Sequence, residues 1–302
     1  MLEQHVNAIK AMGIGECLDY EPMYKHTTYK VGGPCVLYVK VKDIPSLKQL
    51  MNYLVTNQVP YFVIGNGSNL LFSDKLYEGI VVSLNECFKN IATNGCEIKA
   101  QAGVSVIHLA NEACKVGLSG LEFAGGIPAS VGGAVFMNAG AYLSEMAAII
   151  KEVTILDETG EVRVLTKEEC EFSYRHSIFQ TKSEWIILEA TYVLMPSSVQ
   201  EVRELMDKRK EKRMSTQPWN QPSAGSVFRN PEGMPAWKCI DECGLRGKEI
   251  GGAQISNKHS NFIVNNGYAS AKDILSLIQL AQAEVKERLG IELHTEVRLI
   301  NW

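Results

Sequence analysis

No run within the 302 residues approaches the roughly 20 consecutive apolar residues that a membrane span needs. The first fifteen residues, MLEQHVNAIKAMGIG, have no continuous apolar core of the signal-peptide kind. Charge of one sign is also missing. Thirty basic residues face 34 acidic ones for a net charge of -4, which argues against broad nucleic-acid binding but not against one basic pocket. Eight cysteines stand at 17, 35, 87, 96, 114, 170, 239 and 243, yet none forms a Cys-x-x-Cys pair. The tightest pair, Cys239 and Cys243, has no matching second pair, so no structural zinc site is expected. Without an export signal the cysteines read as reduced thiols in a cytoplasm, with no membrane partner. Proline is scarce at 10 residues, and 46% hydrophobic with 21% charged residues excludes a disordered or collagen-like chain. The length suggests two or three domains, with core enough to dispense with disulfides.

What is present alternates strand and helix patterns. Residues 36–40, 61–65 and 80–84 read as strands, and 70–72 is a short apolar run. Leu47, Leu50, Met51 and Leu54 fall at helical spacing within 44–56, with Pro45 near the start. Residues 105–116 read as a helix between Ser105 as N-cap and Gly117. Residues 152–156 and 161–165 read as a hairpin, 185–195 as a long strand ended by Pro196, and 199–213 as a charged helix. Ser270 and Asp273 make a capping-box pattern for a helix over 270–289, which Gly290 ends. A final strand is expected at about 296–300.

Two glycine clusters stand out. Gly65-Asn66-Gly67-Ser68-Asn69-Leu70 follows a strand directly, where glycines let backbone N–H groups approach an anion. It is not the dinucleotide fingerprint, because the third glycine is missing and a strand-like run follows. A plain β-turn is the alternative. The second cluster, Glu122 to Tyr142, contains five Gly and five Ala and is poor both as a long helix and as a packed strand. Backbone lying against a large flat ligand would explain it. A helix packed tightly through small residues is the other explanation.

These clusters resemble the flavin-binding half of the superfamily that holds FAD between two α+β subdomains. More fully, the chain resembles the UDP-N-acetylenolpyruvoylglucosamine reductase family of bacterial cell-wall synthesis. The resemblance is carried in order by HTTYKVGGP (26–34), GNGSNLL (65–71), LSGLEFAGGIPASVGGAVFMNAGAY (118–142), SYRHS (173–177), PSAGSVFRNP (222–231), GGAQISNKHSNFIVN (251–265) and TEVRLI (295–300). It implies an α+β fold: a two-subdomain PCMH-type FAD-binding region over 1–196, divided near 84, and a C-terminal α+β substrate-binding domain over 197–293. The last strand, 294–302, would return to the FAD-binding part. There is no room after SYRHS for the tyrosine-bearing insertion of the family's first group, so the chain looks like the second. His26, Ala129 and Leu143 depart from the family pattern, and none of them belongs to the implied catalytic set.

The resemblance implies noncovalent FAD, NADPH as cosubstrate, and reduction of an enolpyruvyl ether on UDP-N-acetylglucosamine to a lactyl ether. An already anionic carboxylate must then accept more negative charge, so the site needs fixed positive charge and an acid. Arg175, Ser226 and Glu296 match the family's arginine, proton donor and second acid. FAD would be held by Gly65, Asn66, Gly67, Ser68, Asn69 and Leu70, and by Gly126, Ile127, Pro128, Ala129, Ser130, Gly132, Gly133, Asn138, Ala139 and Gly140. Tyr142, Arg213, Asn230, Lys258, His259 and Arg298 would face the small-molecule substrate. Without the resemblance these residues have plainer readings: Arg175 as a surface ion pair, Ser226 as a turn serine, Glu296 as an edge-strand glutamate. The basic run from Lys208 to Arg213 equally suits a solvated helix face. A monomer is expected. The competing readings are a flavin oxidase with another substrate domain, and a ligand-binding regulator built on an inactive reductase. The second predicts loss of the Arg, Ser and Glu set, and all three residues are present.

Overall fold

The computed structural model describes residues 2–302. The chain forms two compact units that interleave in sequence. The first takes Met1–Asp19, Val36–Asn66 and Glu78–Glu211; the second takes Tyr20–Cys35, Gly67–Tyr77 and Lys212–Trp302.

The first unit holds two sheets over one continuous core. One has the strand order Gly15–Asp19, Cys35–Val41, Tyr77–Ser83, Tyr61–Ile64. Tyr61–Ile64 runs parallel to Tyr77–Ser83, with Tyr61 opposite Ile80. The helix Ile44–Thr56 begins where Asp43 accepts the Ser46 N–H at 2.8 Å, with proline in its first turn. It buries Leu47, Leu50, Met51 and Leu54, the stripe its sequence spacing predicts. The second sheet is antiparallel, in the order Val162–Thr166, Ile150–Leu156, Ile186–Val193, Glu97–Gln101, Ile91–Asn94. In the expected hairpin the Asp157 carboxylate accepts the Thr159 and Glu161 N–H groups, and Gly160 takes a left-handed φ of 82°. The helix Val106–Lys115 and the six-residue helix Val131–Phe136 cover this unit. The core is shared by Leu37 and Ile80 from one sheet and Val153 and Tyr192 from the other.

The second unit is built on the helix Ala271–Leu289. Ser270 accepts the Asp273 N–H at 3.1 Å while Asp273 accepts the Ser270 N–H at 2.9 Å, and Gly290 closes the helix at φ 70°. Its stripe of Ile274, Leu277, Ile278, Ala281 and Val285 is buried among Tyr29, Leu71, Val227, Phe228, Cys239 and Ile240. Truncating Leu277, which is 0% exposed, to alanine costs about 2–5 kcal/mol by the transfer and cavity terms. A small antiparallel sheet, Glu249–Ile250, Ala253–Ile255 and Ile263–Asn265, packs on this helix. The strand Arg298–Ile300 pairs in parallel with Leu70–Phe72.

Elements that the sequence did not announce include the helix Leu2–Ala11, the strand Gly15–Asp19, the hairpin Ile91–Asn94 with Glu97–Gln101, and, in place of turns before the last helix, the helix Ala236–Glu242 and the strands Glu249–Ile250, Ala253–Ile255 and Ile263–Asn265. The charged helix runs to Thr216, three residues beyond its expected end.

Candidate functional site

The first glycine loop begins in the first unit, against the second cluster. A methyl group on Gly65 would lie 2.3 Å from Ser130 Oγ. Asn66 Nδ2 donates to the Pro128 carbonyl at 3.2 Å, and Asn85 Nδ2 donates to Asn66 Oδ1 at 3.0 Å. The two tracts, 62 residues apart in sequence, therefore lie side by side. Asn85 was not singled out in the sequence, where it is one asparagine after a strand.

The second cluster divides its work. Glu122–Gly126 is a short 3-10 turn, Ile127 and Pro128 are extended or exposed, and Ser130 caps the helix Val131–Phe136 by accepting the Gly133 N–H at 3.3 Å. Gly132 brings this helix close to the neighbouring backbone, since a methyl there would sit 3.1 Å from Ala102 Cβ. Tight packing through small residues thus accounts for part of the glycine and alanine content. The helix's first amides are already engaged: Val131 N–H donates to Val104 O, and Gly132 N–H to Ala102 O. Ala129 is buried. Asn138, fully buried at φ 42°, donates to Ser173 O and accepts from Ala147 N–H, both at 2.9 Å, so both ends of its amide serve the protein.

That bond to Ser173 anchors the turn carrying Arg175. Ser173 and His176 exchange backbone hydrogen bonds, and Arg175 sits between them at φ 57°. Its guanidinium donates to Gly140 O at 2.8 Å and lies 5.0 Å over the Tyr174 ring. The next hairpin, Gly140–Ala141 with Ser144–Glu145, turns through Tyr142 and Leu143, both left-handed, and Leu143 is wholly exposed. Tyr142 donates its hydroxyl to Arg209 O at 2.7 Å, while the Arg209 guanidinium stands 5.3 Å over its ring.

The loop's second half lies in the second unit. Gly67 takes φ 61°, a methyl there would meet His26 O at 2.0 Å, and the Gly67 carbonyl accepts the Thr28 N–H at 3.2 Å. Asn69 donates through Nδ2 to Glu296 O at 3.0 Å, and Leu70 opens the buried strand. The Ser226 loop is built on Asn261. Its side chain accepts the Phe228 N–H at 3.0 Å and donates to Phe228 O at 2.8 Å, while its carbonyl accepts the Val227 N–H at 2.8 Å. Sequence reasoning passed over Asn261, although it lies inside a matched motif. Gly225, at φ 74°, has nothing within 4 Å of where a Cβ would stand, so the space beside Ser226 is open. Glu296 N–H donates to Val227 O at 2.7 Å. This unit therefore brings Ser226 and Glu296 together through adjoining backbone; Arg175 belongs to the other unit.

The basic run is sorted by its helix. Lys208, Lys210 and Lys212 are exposed; Arg209 and Arg213, one turn apart, are half-buried. Lys258 Nζ donates to the Met214 carbonyl, next to Arg213. His259 accepts the Asn261 N–H through Nδ1 at 3.3 Å and meets the Phe262 ring edge-on. Burial, then the charge of Arg246, pushes its pKa below the ordinary 6.5. The ring is thus neutral near pH 7 and carries its proton on Nε2. Burial also lowers the pKa of Arg298, which remains cationic. Asn230 Oδ1 accepts the Ala236 N–H at 3.1 Å and so holds the start of the helix Ala236–Glu242.

The polar groups suit a flavin dinucleotide. Thr28 Oγ1 is buried and makes no hydrogen bond, which leaves a donor beside the glycine loop for a ligand oxygen. Gly67 gives a left-handed turn that L side chains resist. Ser68 adds a hydroxyl.

The fold and these loops define a flavin-binding protein: residues 36–166 match the model of the FAD binding domain family. Residues 217–300 match the C-terminal domain of UDP-N-acetylenolpyruvoylglucosamine reductase. A reductase of that name from Bacillus pumilus is 43% identical over 299 residues, 99% of each chain. One from Anoxybacillus flavithermus is 46% identical over 287 residues, 95% of each. The crystal structure of the Thermus caldophilus enzyme superposes with a TM-score of 0.81 at 36% identity, covering 94% of this chain and 98% of that one. The chain belongs to the UDP-N-acetylenolpyruvoylglucosamine reductase family.

Proposed function

We propose that this protein reduces the enolpyruvyl ether of UDP-N-acetylglucosamine enolpyruvate to UDP-N-acetylmuramate, in peptidoglycan precursor synthesis. The observation that carries the reading is family likeness over 99% of the chain with Arg175, Ser226 and Glu296 all in place. FAD would be held noncovalently by the two glycine tracts and would supply a two-electron relay from NADPH to the substrate's C3.

The protein's own groups handle charge and the proton. As C3 gains a hydride, C2 becomes an enolate of the neighbouring carboxylate. Arg175 stabilises that charge, supported by a guanidinium already oriented by Gly140 O and the Tyr174 ring. Ser226 Oγ gives its proton to C2. A serine is a weak acid, so the step depends on placing the hydroxyl against a strongly basic carbon, which the Asn261-braced loop favours. One hydride and one proton then saturate the double bond, and the serine alkoxide regains a proton from solvent. Glu296 is the second acid, with Arg298 two residues further on offsetting its charge. Arg213, Lys258 and neutral His259 hold the diphosphate and sugar. Asn230 and Tyr142 act as further substrate contacts. In this reading the enzyme works as a cytoplasmic monomer.

Colour tests the proposal. The purified protein is expected to be yellow, to bleach with NADPH in the absence of oxygen, and to regain colour with the enolpyruvyl UDP-sugar. Bleaching without re-oxidation by that substrate overturns the substrate assignment. Faster bleaching by NADH overturns the nucleotide preference.

A further inference from the structure

The segment from His294 to Ile300 changes neighbours part-way along. Its first half lies on the Ser226 loop: Arg229 N–H donates to His294 O at 2.9 Å, Phe228 bridges Thr295, and Glu296 N–H donates to Val227 O at 2.7 Å. Its second half is a parallel strand on Leu70–Phe72. Glu296 sits at the changeover, where the second ladder has not begun. Its carbonyl accepts the side-chain amide of Asn69 there, at 3.0 Å. The backbone carbonyl of the same asparagine accepts the Arg298 N–H, also at 3.0 Å. Asn69 thus grips the segment at two points, on either side of Val297. The two bonds fall on successive peptides, 296–297 and 297–298, and together with the Glu296 and Val297 N–H groups on Val227 O they fix the direction of the Glu296 Cα–Cβ bond. The far end of the strand is held in the same manner. Asn301 Nδ2 donates to Leu76 O at 3.0 Å, and Trp302 Nε1 to Leu71 O at 3.1 Å.

We infer that Asn69 is the positioning residue of Glu296: its amide fixes the aim of the acid from the glycine loop, in place of the flavin contact its motif suggests. The inference rests on the role proposed above for Glu296. Asparagine is the side chain this geometry requires. Aspartate, of the same shape, would set a carboxylate against a carbonyl, and alanine would leave the Glu296 carbonyl without that bond.

The test uses the flavin-loaded full chain and its Asn69→Asp and Asn69→Ala variants. Flavin reduction by NADPH and re-oxidation by the enolpyruvyl UDP-sugar are timed separately. In both variants the ratio of re-oxidation to reduction rate is expected to fall about tenfold, the size of effect one lost, well-placed hydrogen bond produces. The solvent deuterium isotope effect on re-oxidation is expected to rise, because proton delivery becomes slower. Amide exchange over 296–298 is expected to accelerate about tenfold relative to 274–285. An unmoved ratio overturns the inference, as does flavin loss from both variants or an equal slowing of the two half-reactions. Unchanged exchange at 296–298 overturns it without reference to any substrate. If the parent protein itself is not re-oxidised by the UDP-sugar, the substrate reading fails, and the exchange measurement still decides whether Asn69 is the clamp.

Discussion

The Tyr142 hydroxyl donates to the Arg209 carbonyl at 2.7 Å, while the Arg209 guanidinium covers the Tyr142 ring. A residue whose motif position suggests a substrate contact is thereby also a staple between a strained hairpin and the charged helix. Tyr142→Phe is expected to lose about 1 kcal/mol of stability, the usual net worth of such a bond. Tyr142→Ala, which also removes the ring, should lose more. Urea unfolding of the two variants checks the order; equal stability in all three proteins would mean that the staple carries no weight.

The two loop glycines fail differently when a methyl is added. At Gly65 the methyl meets a hydroxyl that can rotate, at the cost of its cap on the Val131–Phe136 helix. At Gly67 it meets the His26 backbone, and φ is 61°. Nothing there yields cheaply. Gly67→Ala is therefore expected to be the more damaging, by about 1–3 kcal/mol from backbone strain alone, and to release flavin more readily. Flavin fluorescence after gel filtration ranks the two.

Ser226→Ala removes one hydroxyl beside open space, so folding should be nearly unaffected. Flavin reduction by NADPH should persist while substrate-driven re-oxidation falls by at least about 100-fold, the scale of general acid catalysis. Survival of both half-reactions would assign the proton to another group.

His259 gives a pH signature. Its folded pKa lies below its ordinary 6.5 because burial, and then Arg246, disfavours the imidazolium. The unfolded chain therefore binds the proton more readily, so this contribution to stability is intact above about pH 6.5 and is lost as pH falls through the folded value. Thermal midpoints of the parent should drop more between pH 7 and 5 than those of His259→Gln. Parallel curves would show that the ring titrates as it does in water.

Much of this arrangement is legible from residue pattern alone. The Leu47-Leu50-Met51-Leu54 stripe, the Asp157–Gly160 turn and the Ser270–Asp273 cap are local, and each appears where its chemistry predicts. The glycine tracts are legible as special, but their function divides between ligand space and packing only once Gly132 is seen against Ala102. The strand Ile91–Asn94 was missed because three of its four residues are exposed and it lies at the edge of its sheet. Asn85, Asn261 and Asn138 act through bonds to residues 19, 33 and 35 positions away. No local pattern marks an asparagine whose partner is that distant.

The pairing of Leu70–Phe72 with Arg298–Ile300, and the Asn69 bond that spans 227 residues, bears on how the protein matures. A growing chain exposes the glycine loop long before its partner strand exists. At roughly 5–20 residues per second, synthesis leaves that loop unbraced for about 10–45 seconds. The cradle can be completed only after the partner strand leaves the ribosome, so a flavin captured by nascent chains should be held loosely and settle late.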